Sequence, residues 1–217
     1  MSVRIVLLGA PGSGKGTQAA LLKEMYGIAH ISTGDILRQE VAEGTELGKK
    51  AETYMSVGTL VPDDLILEMM RLRLLQPDTR RGWLLDGFPR TVAQAERLAS
   101  LTNGIGQRAD AGVILNVIPE VVVRRLSGRR VCEACQTITN VVEMKAGACP
   151  VCGGKLVLRP DDEPSVVRKR IAVFDAQTRP VFEFFRRNYD VIEIDASRSI
   201  DEVTEALRLA LDRYDHS

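Results

Sequence analysis

The segment Gly9-Ala10-Pro11-Gly12-Ser13-Gly14-Lys15 follows an unbroken apolar run, Ile5 to Leu8, and leads into Ala19, Leu22, Lys23 and Tyr26 at helical spacing. Strand, glycine turn and helix in that order leave few folds open. An apolar run without alternation marks a strand buried on both faces, as in a parallel sheet covered by helices. The turn gathers successive backbone N–H groups into a nest for phosphate oxygens, and the helix N-terminus adds its positive dipole end. Glycines are needed there because side chains would block the approach. Lys15 then serves as a point charge for terminal phosphates. Gly16 stands where Ser or Thr would ligate Mg²⁺, and the hydroxyl arrives one residue later, at Thr17. A glycine-rich turn without a ligand is the bland alternative, and a lysine in this context argues for nucleoside triphosphate binding instead.

Further short apolar strands are predicted at Trp83 to Leu85, Val113 to Val117 and Val191 to Ile194. Helical patterns lie between or beyond them, at Asp63 to Leu75, Thr91 to Leu101, Pro119 to Leu126 and Glu202 to Arg213. The alternation predicts an α/β fold. Two stretches break it. Residues 32–61 hold two short helical patterns and no convincing strand, and residues 128–162 hold all four cysteines. The expected organisation is a core of residues 1–31, 62–127 and 163–217 with two insertions of the kind that serve as binding loops or lids.

Composition narrows the function. Lys plus Arg and Asp plus Glu are both 29, so there is no basic excess of the sort that nucleic-acid binding requires. Arg supplies 22 of the 29 basic residues, a bias that suits phosphate forks and that codon usage would equally produce. No apolar run approaches the roughly 20 residues of a spanning helix, and none has the form of an export signal. The chain is expected in the cytoplasm, as a monomer with no membrane partner. In that reducing compartment Cys132-x2-Cys135 and Cys149-x2-Cys152, thirteen residues apart, suit a structural tetrahedral Zn²⁺ site. A redox pair twice in one insertion fits less well. A zinc ribbon can also bind nucleic acid, so the cysteines alone do not decide function.

Other positions carry two readings from the residues themselves. Asp86 ends an apolar strand, where a carboxylate can hold Mg²⁺ through water or cap a turn. Ser32 or Thr33 is a natural N-cap. Thr91-Val92-Ala93-Gln94 has the pattern of a capping box. Arginines crowd the second insertion: Arg124, Arg125, Arg129, Arg130, Arg159, Arg168 and Arg170. A solvated face explains most such runs. Arg170, however, borders the apolar stripe of Val167 and Phe174, and a guanidinium there needs an anion. His30 and His216 are expected at the surface or a strand end.

Three stretches in order, Gly9 to Gln18, Ile31 to Arg38 (Ile-Ser-Thr-Gly-Asp-Ile-Leu-Arg) and Leu85 to Thr91 (Leu-Asp-Gly-Phe-Pro-Arg-Thr), resemble the adenylate kinase family in its long-lid, cysteine-bearing form. The resemblance covers essentially the whole chain, and the family shares Gly16. It implies a doubly wound P-loop fold with a parallel five-stranded sheet flanked by helices. Residues 32–61 become a helical monophosphate-binding insertion and 128–162 a zinc-ribbon-like lid. The implied activity is reversible, Mg²⁺-dependent transfer of the ATP γ-phosphoryl group to AMP, giving two ADP. Gly12, Ser13, Gly14, Lys15, Gly16 and Thr17 would bind ATP together with Arg129, while Arg198 would touch its adenine through the backbone. Ile138 and Thr139 occupy the lid position where an aromatic residue often stacks on the base, and Thr139 cannot stack. AMP would meet Thr33, Arg38, Thr59, Leu60, Val61, Gly87, Phe88, Pro89, Arg90 and Gln94. Arg125, Arg129, Arg159 and Arg170 would surround the transferred group, with Lys15, Arg90 and Asp86 completing the catalytic set.

Two other functions are open to a chain of this kind. A nucleotide-gated zinc ribbon that binds nucleic acid is disfavoured by the zero net charge and by aromatic residues making up only 5% of the chain. A kinase for another nucleoside monophosphate would share the phosphate machinery, and Thr33 and Gln94 favour adenine by resemblance alone.

Overall fold

A computed structural model of the chain describes residues 3–140 and 147–214. His216 and the lid stretch 141–146 lie outside the described residues. The elements run β1 (Arg4–Gly9), α1 (Lys15–Tyr26), β2 (Ala29–Ser32), α2 (Thr33–Glu43), α3 (Glu46–Met55), α4 (Asp63–Leu74), β3 (Trp83–Asp86), α5 (Val92–Gly104), β4 (Ala111–Asn116) and α6 (Pro119–Gly128). They continue with β5 (Arg129–Cys132), β6 (Ile138–Asn140), β7 (Leu156–Val157), α7 (Pro164–Val173), α8 (Arg179–Asn188), β8 (Asp190–Asp195) and α9 (Ile200–Leu211).

Five strands form one parallel sheet in the order β2-β3-β1-β4-β8. The unbroken apolar character of β1 follows from its central place. Ile5 and Leu7 face one layer, where Ala19 and Leu22 of α1 and Val203, Leu207 and Leu211 of α9 pack. Val6 and Leu8 face the other, against Met70 and Leu74 of α4, Leu98 of α5 and Phe185 of α8. Both faces are dry, so no polar residue can alternate. Trp83 is fully buried and its indole N–H donates to Gln107 Oε1 at 3.0 Å. The fifth strand, β2, has only four residues, Ala29 to Ser32, and pairs with β3.

Because the sheet is parallel, the ends of β1, β2 and β3 lie along one edge, and the chain reverses its direction of winding at β1. Ligands of open α/β sheets bind at such a switch point. The remaining elements converge there. Helices α2 and α3 lie between β2 and α4, and β5, β6 and β7 form a small antiparallel sheet in the order β6-β5-β7. No described helix is long and apolar enough to cross a membrane.

The α2–α3 pair is packed more closely than side chains allow. A Cβ on Gly48 would stand 2.0 Å from the Glu40 carbonyl oxygen of α2. Thr45 ties the same corner, its hydroxyl accepting from Gly48 N at 3.0 Å. Gly48→Ala is therefore expected to spread the two helices and lower stability by about 1–3 kcal/mol, the usual cost of overpacking. Urea denaturation checks the first effect. Since α2 carries Thr33 and Arg38, monophosphate affinity measured by calorimetry should also fall.

Candidate functional site

The glycine turn after β1 leads directly into α1. Four helices carry a Ser or Thr cap: Ser32 on α2, Thr45 on α3, Thr91 on α5 and Ser199 on α9. At α1 the capping position is Gly14, with φ of 95°, and no side chain caps the first turn. The amides of Lys15, Gly16 and Thr17 thus head a helix whose N-terminus is shaped for a ligand rather than a cap. Lys15 Nζ folds over the turn, donating to the carbonyls of Gly9 at 2.7 Å and Ala10 at 2.9 Å. Burial pushes its pKa down to about 8, with Asp86 opposing and Arg90, Arg170 and Arg129 adding to the fall. An ammonium held this way gains from any anion set beside it.

Asp86 closes β3 beside this loop, its Oδ2 3.6 Å from where a Gly16 Cβ would stand. A Cβ at position 16 would rest in ordinary contact with that carboxylate. Across the β2–β3 pairing, His30 Nε2 lies 3.9 Å from Asp86 Oδ2, buried and without another partner. His30 thus lies within β2, paired with Leu84, rather than at the surface or a strand end, and its ring faces Asp86.

A second cradle opens on the β2 side. Ser32, not Thr33, caps α2, accepting from Asp35 N at 3.2 Å. Thr33 is left buried, with its hydroxyl 3.4 Å from the Asp86 carbonyl. Gly87 has φ of 81°, and a Cβ there would meet Thr33 Oγ1 at 2.9 Å and an Arg90 guanidinium nitrogen at 3.2 Å. Only glycine lets those two side chains close on the same point. Arg90 Nε donates to the Gly87 carbonyl at 2.6 Å. One pocket is lined by Thr33, Arg38, Thr59, Leu60, Val61, Gly87, Phe88, Arg90, Gln94 and Arg170, together with Asp161. Gln94 keeps half of its expected capping box. Its N–H donates to Thr91 Oγ1 at 3.1 Å, but its side-chain oxygen accepts from Arg90 N rather than from Thr91.

Arginines from the second insertion and α7 meet this pocket. Arg159 is buried, and its guanidinium bonds Asp161 through Nε and one terminal nitrogen, each at 3.1 Å. Arg170 donates to the Asp161 carbonyl at 2.7 Å and to Asp162 Oδ1 at 3.2 Å. Arg129 forks Asp162, whose side chain is fully buried. Arg38 pairs with Asp35. Burial lowers the pKa values of Arg90, Arg159 and Arg170, the last to about 10. Burial would raise Asp161, but Arg170, Arg159, Arg38 and Arg129 outweigh it and hold its carboxyl to about 2. The anion expected beside Arg170 is thus a pair of carboxylates of the chain itself. The two Asp are not singled out by the sequence, because the arginines that bury them lie up to 33 positions away. An acidic pair directly after Arg159-Pro160, among so many arginines, was the available signal.

Arg125 stands slightly apart, donating to the Arg198 carbonyl at 3.2 Å. Ile138 is exposed on β6 next to Thr139. Arg124 and Arg168 are exposed, and Arg130 bonds the carbonyls of Ser127 and Arg129.

In the small sheet the four cysteine sulfurs lie within 4.8 Å of one another. Two equivalent knuckles present them. The residue after the second cysteine is left-handed in each, Gln136 with φ of 59° and Gly153 with φ of 72°, and its N–H returns to the first cysteine's carbonyl at 3.0 and 2.9 Å. Hydrogen bonding with Thr137 holds the Cys135 thiol down at about 6. At Cys152 the Gly154 N–H favours the thiolate, but the neighbouring Cys135 and Cys132 thiols outweigh it and push the pKa up to about 12. Four soft donors this close cannot all ionise without a cation between them, so the donor set fits a thiophilic divalent metal.

A glycine loop and lysine at the switch point of a parallel sheet, facing a second arginine-lined anion pocket, define a phosphotransferase of the nucleoside monophosphate kinase class. The Adenylate kinase family model matches residues 7–190. An adenylate kinase of Caldicellulosiruptor saccharolyticus is 45% identical over 212 residues, covering 96% of this chain and 99% of the relative. Adenylate kinases of Streptomyces avermitilis (45% over 219 residues, 99% and 100%) and Methanocella arvoryzae (44% over 212 residues, 96% and 98%) are similarly related. The chain belongs to the adenylate kinase family.

The Asp161 pairing has a pH signature. Its folded pKa of about 2 lies below the ordinary 3.8, so the stabilisation is complete above about pH 4 and disappears as pH falls toward 2. The gap corresponds to about 2 kcal/mol. Urea denaturation of wild type and Asp161→Asn between pH 5 and 2.5 should show the wild type losing about that much more stability over the window.

Proposed function

We propose that the two anion sites divide one reaction between them: the glycine loop holds ATP, the Arg90 pocket holds AMP, and the γ-phosphoryl group passes reversibly between them to give two ADP. The observation that carries this reading is the convergence of Lys15, Arg90, Arg129, Arg159 and Arg170 on one group of buried carboxylates at the edge of the sheet. Phosphoryl transfer is mostly positioning and charge stabilisation, and such a convergence supplies both. The acceptor phosphate is ionised at neutral pH and needs no base. When phosphates enter, Arg159, Arg170 and Arg129 exchange Asp161 and Asp162 for phosphate oxygens, so the guanidiniums are already oriented at the moment of reaction.

The remaining roles follow from position. Gly12, Ser13, Gly14, Gly16 and Thr17 offer the loop and first-turn groups to the β- and γ-phosphates, with Lys15 swinging from its carbonyl partners to the γ side. Arg125 covers the Arg198 carbonyl, the backbone acceptor offered to the ATP adenine, and Ile138 and Thr139 lie at the lid edge of that site. Thr33, Arg38, Gly87, Phe88, Pro89 and Arg90 serve the AMP phosphate and sugar side, while Thr59, Leu60, Val61 and Gln94 serve its base. Residues 32–61 and 128–162 act as the acceptor-binding and lid insertions on the core of 1–31, 62–127 and 163–217.

Mg²⁺ arriving with ATP supplies neutralisation of phosphate charge, and Asp86 beside Gly16 is the carboxylate that would hold it through water. Cys132, Cys135, Cys149 and Cys152 would hold Zn²⁺ in a closed tetrahedral site whose chemistry is structural.

Two experiments test the reading. A panel of ATP with AMP, GMP, CMP and UMP should give diphosphate formation chiefly with AMP. In the same assay Lys15→Ala should lower kcat by about 10²–10³, the usual cost of one preorganised charge contact. Arg90→Ala should raise the AMP KM far more than it weakens ATP binding. Near-normal turnover by a folded Lys15→Ala protein would sink the loop assignment.

For the metal, one tightly bound Zn²⁺ per chain is expected by mass spectrometry. The lid sheet is too small to bury a core of its own, so metal binding supplies much of its folding free energy. Cys149→Ser with Cys152→Ser should lower the Tm and loosen lid closure, raising KM for ATP while the core sheet keeps its far-ultraviolet spectrum. A metal-free protein of equal Tm would refute the assignment.

A further inference from the structure

Gln94 is gripped by two partners of opposite chemical sense. Its Oε1 accepts from the Arg90 backbone N–H at 2.7 Å, and its Nε2 donates to Asp63 Oδ1 at 2.6 Å. Turning the amide over would set its –NH₂ against an N–H and its carbonyl oxygen against a carboxylate, so both contacts would be lost. The partners can play only one part each: a backbone N–H only donates, and an ionised carboxylate only accepts. The amide therefore has a single orientation, set by chemistry rather than by shape. Gln94 is 2% exposed and lines the acceptor pocket beside Thr59, Leu60 and Val61.

After these two bonds the amide retains one N–H and one carbonyl lone pair, in a fixed order. A 6-aminopurine presents a ring acceptor at N1 beside an exocyclic donor at N6, and on the reading that AMP occupies this pocket the retained N–H and lone pair answer that edge. A 6-oxopurine presents the reverse, a donor at N1 and an acceptor at O6. A freely rotating glutamine would answer either edge by flipping. This one is held. Sites built from committed donors and acceptors reject the mismatched partner strongly, because the wrong ligand leaves buried polar groups unpaired.

We propose that Asp63 is a specificity-determining residue, whose carboxylate locks the Gln94 amide in the orientation that accepts a 6-amino purine monophosphate and refuses a 6-oxo one. The proposal rests on the acceptor-pocket reading above. Asp63 acts through Gln94 and is a positioning residue. It also sits in the first turn of α4, where a negative charge favours the helix dipole. That structural role affects stability and leaves base preference alone, so the two roles separate in one measurement.

The test compares kcat/KM for AMP and for inosine monophosphate, which differs at the 6 position without adding a 2-amino group. Asp63→Asn keeps the size, and its amide can donate or accept, so it tolerates both orientations of Gln94. The AMP-over-IMP ratio is expected to fall about tenfold, through a lower KM for IMP, with part of the preference retained by the Arg90 N–H. Asp63→Ser, whose hydroxyl also serves either sense and suits a helix start, is read in the same way should the Asn variant fail to fold. An unchanged ratio in a folded variant overturns the lock. Gln94→Leu separates this from the underlying reading. A ratio that collapses in Gln94→Leu but holds in Asp63→Asn refutes the lock alone. A ratio that neither substitution moves refutes the assignment of the pocket to the acceptor base.

Discussion

Positive charge withdrawn from water at the carboxyl edge of the sheet is the constraint on which the rest of the molecule depends. Lys15, Arg90, Arg159 and Arg170 all lie where burial lowers their pKa values. An unpaired buried charge costs several kcal/mol, so such a group cannot exist without anions beside it. Asp86 supplies the anion for Lys15 and Arg90, and Asp161 and Asp162 supply it for Arg159 and Arg170. Asp161 and Asp162 are short and are attached close to Arg159, so the pairing fixes the guanidiniums in place at that edge.

The architecture delivers those groups from far apart in the chain to one place. Lys15 comes from the loop after β1, Arg90 from the turn after β3, Arg129 from the start of the small antiparallel sheet, and Arg170 from α7. A parallel sheet does this economically because all its strands end along one edge. The helical insertion and α7 meet over that edge: a Cβ on Gly58 would lie 3.1 Å from Arg170 Cγ and from Val166. The cysteine knuckles have no comparable core, and their two matched left-handed turns aim the sulfurs at a common centre instead. Selectivity is added a layer further back, where Asp63 and the Arg90 N–H commit one amide to one orientation.

Much of this was readable from residues alone. The β1–loop–α1 segment is a local pattern, since apolar periodicity, glycine and lysine all act within 15 residues. The paired cysteine motif is likewise local, because each knuckle is four residues long. Asp86 is marked by its place at the end of a strand, whereas Arg90 follows from the family resemblance alone. Gln94 carries two readings in the sequence, and the structure divides its atoms, with the backbone N–H serving the cap and the side chain bridging Arg90 and Asp63. Asp161, Asp162, Asp63 and His30 were not read as site residues. Three of them are defined by a partner 31 or more positions away, Asp162 by Arg129, Asp63 by Gln94 and His30 by Asp86, while Asp161 is bonded by Arg159 and Arg170, two and nine positions off.

The sequence by itself determined four of the five core strands, helices α1 to α6 and α9, the layered α/β class, the phosphate-binding loop and the thiol ligand set, because each depends on side-chain period or on backbone freedom over a few residues. The short β2, the pair α7 and α8 and the small sheet were not legible. Tertiary structure alone decided which carboxylate neutralises which arginine, which hydroxyl caps α2 and which is left facing the pocket, and which way the Gln94 amide points. Those outcomes turn on distances of about 3 Å between segments that are remote along the chain. Hydrogen bonds lose their strength within about an ångström of that distance, so no pattern of spacing along the chain carries the information.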